Sequence, residues 1–166
     1  GIDYDAKFVF EKIGYNLEGS EVGAAFGLVQ LEKLKSNIKI RQKNFIRQCI
    51  FFSKYNDYFE NPIERKNCQT AWLAFPILIK KNTQFNRKEM QIFLEKQNIQ
   101  TRVVFTGNII RQPMSKSINF KVIDGGCPNS DDIMRSGVLL PVHHGMTDEM
   151  FERLHSTIDQ FINNFQ

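Results

Sequence analysis

Apolar positions in this chain recur with two different periods, and the periods predict the elements. From Ser20 onward, Ala24, Leu28, Leu31, Leu34, Ile38, Phe45, Cys49 and Phe52 return mostly in steps of three and four, the spacing of a helix with a buried stripe. Ser20 suits the N-cap, where its hydroxyl accepts from an orphan amide, and Glu21 complements the dipole of the first turn. Gln42 interrupts the stripe, so two consecutive helices and one long bent helix both satisfy the pattern. A continuous helix here runs about 50 Å at 1.5 Å per residue, longer than such a domain is wide. A helix of that length reaches across to another domain or subunit.

Lys54 to Asn67 is polar and aromatic, contains Pro62 and reads as a loop. Ala71 to Ile79 is a continuous apolar run of strand length. Pro76 within it cannot donate to a ladder, which predicts an edge strand or a bulge. Asn86 followed by Glu89 forms a capping-box start for a helix that buries Met90, Phe93 and Leu94. Ile99–Phe105 is a second strand, ended by a turn at Thr106, Gly107 and Asn108. A loop with Pro113 follows, then a candidate short strand at Phe120–Ile123 and a turn at Gly125–Gly126. Ser130, Asp131 and Asp132 open a short helix, and Val138–Val142 is a third strand closed by His143, His144 and Gly145. Thr147 caps a last helix, with Asp148 and Glu149 in its first turn and Phe151, Leu154, Ile158, Phe161 and Phe165 on one face. The predicted fold is a two-layer α/β (α+β) unit, a long N-terminal helix followed by a small sheet packed with helices. Residues 1–54 read as a connecting segment and inter-domain helix, and 55–166 as the small domain.

Composition narrows the class only slightly. At 166 residues the chain holds one domain, and 42% hydrophobic with 24% charged residues excludes wholesale disorder. Fifteen phenylalanines supply material for a core, and a net charge of +4 with scattered basic residues gives no reason to expect nucleic acid. No apolar run approaches the roughly 18 residues of a membrane span, and no signal peptide is visible. Cys49, Cys68 and Cys127 are widely spaced without C-x-x-C, which fits free thiols in a reducing, cytoplasmic setting. The chain opens without an initiator Met, as a processed chain or a piece of something longer does.

No P-loop, G-x-G-x-x-G, H-E-x-x-H or G-x-S-x-G occurs. Three local features remain. Gly14-Tyr15-Asn16-Leu17 precedes the long helix, where Asn16 either bonds the local backbone or offers a donor to an anion near a helix start. Arg102 and Arg111 flank the Gly107–Asn108 turn and either clamp a phosphate or carboxylate or decorate a surface loop. His143 and His144 end a strand, where adjacent side chains diverge and do not share a metal, so a single His acts by hydrogen bonding, by acid–base work, or only structurally. Together these imply an anion-accommodating surface without an activated nucleophile.

These features, in this order, resemble one family. Gly14-Tyr15-Asn16-Leu17 followed by Ala24-Ala25-Phe26-Gly27-Leu28-Val29-Gln30-Leu31-Glu32-Lys33-Leu34 is similar to the GYN…QAAxGLxQLEKL segment of the DegT–StrS nucleotide-sugar aminotransferases and dehydrases, fold-type I enzymes dependent on pyridoxal 5'-phosphate (PLP). Trp72–Pro76, Thr101-Arg102, the Gly107–Pro113 loop and His143–Met150 fall where the family's carboxy-terminal half has them.

The resemblance implies a homodimer whose active site lies between subunits, with Asn16, and Tyr15 beside it, on the cofactor phosphate. Gly107-Asn108-Ile109-Ile110-Arg111-Gln112-Pro113 and His143-His144-Gly145-Met146 look more like the branch that removes the C3 hydroxyl of nucleotide-linked 4-keto-6-deoxyhexoses, using the amine form of the cofactor, pyridoxamine 5'-phosphate. Arg102, Asn108, Arg111 and His143 are then the substrate-side residues. The large PLP-binding domain, with the Lys or His of the cofactor position, is expected upstream of Gly1, so this chain alone is expected to be inactive. No C-x-C pair is present and Leu28 stands where one cluster cysteine aligns, so no iron–sulfur cluster is expected. The parent would act on a nucleotide sugar in surface-polysaccharide biosynthesis. The alternatives are amino transfer to the same keto-sugar, or a non-catalytic anion-binding module.

Overall fold

A computed structural model describes residues 9–15 and 19–165. Helix α1 spans Glu21–Phe52 without a break, so Gln42 neither splits nor ends it. The Ser20 hydroxyl accepts from the Gly23 amide at 3.4 Å, as the N-cap reading requires. Strand β1 (Phe59–Glu60) is followed by β2 (Phe75–Ile79), α2 (Arg87–Lys96), β3 (Arg102–Val103), α3 (Pro128–Ser136), β4 (Gly137–Leu140) and α4 (Asp148–Asn163). The strands form one antiparallel sheet in the order β1-β2-β4-β3. It is the two-layer arrangement of helices on a small sheet that the pattern predicts.

One face of that sheet carries Phe59, Phe75, Ile77, Ile79, Val138 and Leu140, all buried. Against it pack the last turns of α1, together with Met90 and Leu94 of α2 and Leu154, Ile158, Phe161 and Ile162 of α4. Phenylalanine rings fill the seam: Phe52 lies 5.4 Å from Phe75 and 5.3 Å from Phe59, and Phe45 stacks on Trp72 at 4.1 Å. The capping box at Asn86 and Glu89 closes in both directions, and Thr147 caps α4 through the Met150 amide.

Several boundaries differ from the sequence reading, each for a local reason. The segment 54–67 contains β1, a strand too short to leave a period. The run from Ala71 becomes strand only at Phe75. Pro76 lies in an inner strand rather than an edge strand, yet β1 pairs only with Leu78 and Ile79, so nothing on that side asks Pro76 for an N–H. The predicted strand 99–105 shrinks to Arg102–Val103 because the chain turns at once: Phe105 has φ 45° and its amide donates back to the Val103 carbonyl at 2.9 Å. Phe120–Ile123 is irregular; no strand lies beside it, and Ile123 stays 73% exposed. Helix α3 begins at Pro128 rather than Ser130, using proline at its first position.

Two glycines permit close approaches. A Cβ on Gly107 (φ +64°) would lie 2.3 Å from the Met134 Cβ, and one on Gly137 would lie 2.6 Å from the Ile133 carbonyl oxygen. Both tie the 104–107 turn and the start of β4 tightly to α3. Among the described residues no helix is long and apolar enough to cross a membrane, and no cluster of side chains is suited to a metal ion.

Candidate functional site

The β3–β4 ladder ends at Arg102 opposite Leu139. The same register sets Gln100 opposite Pro141, which has no N–H to give, so pairing stops and the two chains splay. A cavity of about 500 Å³ opens in the splay over the first turns of α4. Arg102, His143, Gln100, Met146, Met150 and Arg153 line it, with no carboxylate among the lining residues. Its charge is therefore basic, and two methionines give it an adaptable apolar wall.

Arg102 is held by its neighbours. Its Nη1 donates to the Thr101 carbonyl at 2.8 Å, and with the Gln100 amide oriented oxygen-inward, that oxygen accepts from both Nη atoms at 2.6 and 3.0 Å. A guanidinium has five N–H donors, so the rest are free for a ligand. Arg153 is braced in the same way, donating to the Gln97 carbonyl at 2.7 Å. His143 sits on the turn after β4, where its Nδ1 accepts from the Gly145 amide at 3.2 Å. The neutral ring then carries its proton on Nε2 and is a donor there.

That turn is fixed from α1: Asn44 donates to the His143 carbonyl at 2.9 Å and Gln48 to the Pro141 carbonyl at 3.0 Å. Gln48 also accepts from Nε2 of His155, whose ring stacks on Phe51 at 3.8 Å. Burial, with the positive charge of Arg47, pushes the His155 pKa down to about 4. His155 is thus a neutral packing element rather than an acid or base of the site.

Asn108 and Arg111 do not line this cavity. Asn108 is buried and donates to Asp131 Oδ1 at 2.8 Å, while Arg111 meets the same carboxylate through Nε at 2.9 Å and Nη2 at 2.8 Å. Hydrogen bonds from Arg111 and then Asn108 hold the Asp131 pKa down to about 2. Bidentate pairing leaves the other Nη of Arg111 facing outward on a side chain that is 60% exposed. The six residues singled out from sequence thus divide: Arg102 with His143, Asn108 with Arg111, Tyr15 exposed at 91%, and Asn16 outside the described residues. Sequence reasoning missed Arg153, which looks like an ordinary solvated residue of α4, and the polar pair Asn44 and Gln48, spaced like a helix face yet set in an apolar stretch.

The arrangement of a small antiparallel sheet at one end of a 32-residue helix has counterparts among solved structures. Escherichia coli GDP-4-keto-6-deoxy-D-mannose-3-dehydratase with bound hydrated PLP shares it at TM-score 0.70 and 25% identity, over 93% of this chain and 39% of that chain. The chain belongs to the DegT/DnrJ/EryC1/StrS aminotransferase family, whose model matches residues 1–159.

It is 32% identical to the lipopolysaccharide biosynthesis protein RfbH of Salmonella typhimurium over 95% of this chain and 36% of that protein. It is 31% identical to dTDP-4-dehydro-2,6-dideoxy-D-glucose 3-dehydratase of Saccharopolyspora spinosa, over 96% of this chain and 34% of that enzyme. Relatives thus include 3-dehydratases, and nucleotide-sugar transaminases are similar as well. The chain spans about a third of the length of these curated relatives.

Proposed function

We propose that the parent of this chain is a PLP- or pyridoxamine-phosphate-dependent enzyme that removes the C3 hydroxyl of a nucleotide-linked 4-keto-6-deoxy sugar for surface-polysaccharide biosynthesis, acting in the cytoplasm as a homodimer. The observation that carries the substrate class is the cavity lined by Arg102, Arg153 and His143 with no carboxylate among its lining residues. Two arginines and an imidazole donor around one cavity suit a diphosphate, and the two methionines suit the apolar face of a sugar or base. The similarity to 3-dehydratases supports dehydration over amino transfer.

For the cofactor, Tyr15 is exposed and open to a phosphate carried by another part of the assembly, and the family resemblance assigns the same phosphate to Asn16. When bound, the cofactor supplies the electron sink for breaking the C3–O bond. This chain's residues bind and orient. Arg102 and His143 hold the anionic part of the substrate, and Asn108 and Arg111 keep the 106–113 loop in register on its side, with the outward Nη of Arg111 available to the ligand. On this reading the 166 residues alone are expected to be inactive, because the cofactor-position residue and most of the phosphate cup would belong to the large domain.

The helix α1 gives the reading a second support. Val22, Phe26, Val29 and Ile40 lie on one side of it and Leu28, Leu31 and Leu34 on the opposite side, all 40% or more exposed. A helix apolar on two sides belongs between two partners, here the large domain of its own protein and a second protomer.

The test uses the full-length parent with PLP or pyridoxamine phosphate and a GDP- or dTDP-linked 4-keto-6-deoxyhexose. Arg102→Gln is expected to raise KM for the nucleotide sugar about tenfold or more while kcat changes less. An unchanged KM in Arg102→Gln and Arg153→Gln alike removes the cavity from the substrate site.

A further inference from the structure

Gln112 is one of the few buried polar side chains outside the helices, at 5% exposure, and neither the cavity nor the Asp131 cluster uses it. Its Oε1 accepts from the Phe10 amide at 3.3 Å, and its Nε2 donates to the Thr106 carbonyl at 3.2 Å. The Met114 amide donates to the Phe10 carbonyl at 3.0 Å. Both backbone groups of Phe10 are therefore engaged by a loop more than a hundred residues away in the chain. Phe10 is 41% exposed, so the attachment is polar rather than driven by burial.

The loop that receives this segment is itself fixed. Asn108 and Arg111 bind Asp131 of α3, the Asn108 side chain accepts from the Ile110 amide at 3.2 Å, and Ser115 Oγ donates to the Ile110 carbonyl at 2.9 Å. Tyr15 lies five positions after Phe10, a reach of at most about 17 Å.

We propose that Gln112 is a positioning residue that clamps residues 9–15 to the 106–114 loop, so that the cofactor-side contact at Tyr15 and the substrate-side loop keep one fixed relation. The proposal rests on the reading of Tyr15 as a cofactor contact. The position demands an acceptor and a donor at once. Glutamate keeps the acceptor for the Phe10 amide but sets a carboxylate against the Thr106 carbonyl, and methionine supplies neither bond.

The experiment compares full-length parent protein with Gln112→Met, Gln112→Glu and, as a control, Tyr15→Ala. Amide exchange is followed by mass spectrometry, and the Kd for PLP is measured by absorbance titration of the cofactor-free enzyme. Gln112→Met is expected to lose protection across residues 9–15 and at Met114 while β4 and α4 keep theirs, with the PLP Kd raised about tenfold and Gln112→Glu falling in between. Undisturbed protection at residues 9–15 in both Gln112 variants overturns the clamp. Lost protection with an unchanged Kd overturns positioning if Tyr15→Ala does raise the Kd. If Tyr15→Ala leaves it unchanged as well, the cofactor reading of Tyr15 fails and takes the proposal with it.

Discussion

Between Asn44 and Phe52 helix α1 buries Asn44, Phe45, Gln48, Phe51 and Phe52, whereas from Glu21 to Lys43 it buries nothing, although Phe26, Leu28 and Leu31 are as apolar as Phe45 and Phe51. The inner part presents an apolar stripe to a sheet that is present, with two amides serving the β4–α4 turn, and leaves only Ile46 and Ile50 exposed on its other side. The outer part is apolar on two sides and is covered on neither by the described residues. The contrast teaches that period alone reports which residues seek burial, while the number of apolar sides reports how many surfaces must cover them.

The comparison breaks most sharply in the inner half. Phe52→Ala removes a fully buried ring between Phe59 and Phe75 and is expected to cost about 3–5 kcal/mol, read by urea denaturation of the chain. In the outer half Leu31→Lys is expected to change the stability of the chain by less than about 0.5 kcal/mol, because Leu31 is 64% exposed. The same variant is expected to abolish dimerisation of the full-length protein in sedimentation velocity. A Leu31→Lys protein that unfolds early, or that dimerises normally, contradicts the division of the helix.

Acid gives a smaller effect on the inner half. His155 has a folded pKa near 4 against an ordinary value of 6.5, so between those values the unfolded chain binds a proton that the folded chain refuses. Stability therefore falls as pH drops from 6.5 to 4, and this contribution changes no further below that. His155→Phe should flatten the urea midpoint across that window. The smallest effect concerns the loop: Asp131→Asn releases Arg111 and is expected to speed amide exchange at Ile110, with little change in global unfolding. The Asp131 pairing is a stabilising contribution present above the ordinary carboxylate pKa of 3.8 and lost as pH falls towards 2.

Helices α1, α2 and α4 were legible because each has both a period and a cap, at Ser20, Asn86 and Thr147, whereas α3 starts at Pro128 with no side-chain cap and was read two residues late. The strands were half legible. Apolar runs mark Phe75–Ile79 and Gly137–Leu140, and the strand read at 99–105 contains β3 but overstates its length, whereas β1 has two residues and leaves no alternation to detect. Pro76 misled because its rule concerns hydrogen-bonding partners, and the shortness of β1 removes the partner without placing the strand at the edge.

At the site, Arg102 and His143 were found by residue type and place at strand ends, and the structure brings them to one cavity. Arg111 was found for the same reason, but its partner Asp131 lies twenty positions on and reads locally as a helix-dipole charge. Gln112 and Arg153 had no local signal at all. Their significance exists only once distant segments meet.

The most direct measurement is the identity of the product formed by the full-length parent, supplied with pyridoxamine phosphate and a nucleotide-linked 4-keto-6-deoxyhexose and read by NMR of the sugar ring. Loss of the C3 hydroxyl, with no amine installed at C4, is the predicted result. An amine at C4 with the C3 hydroxyl retained contradicts the dehydratase assignment and makes the parent a transaminase of the same family.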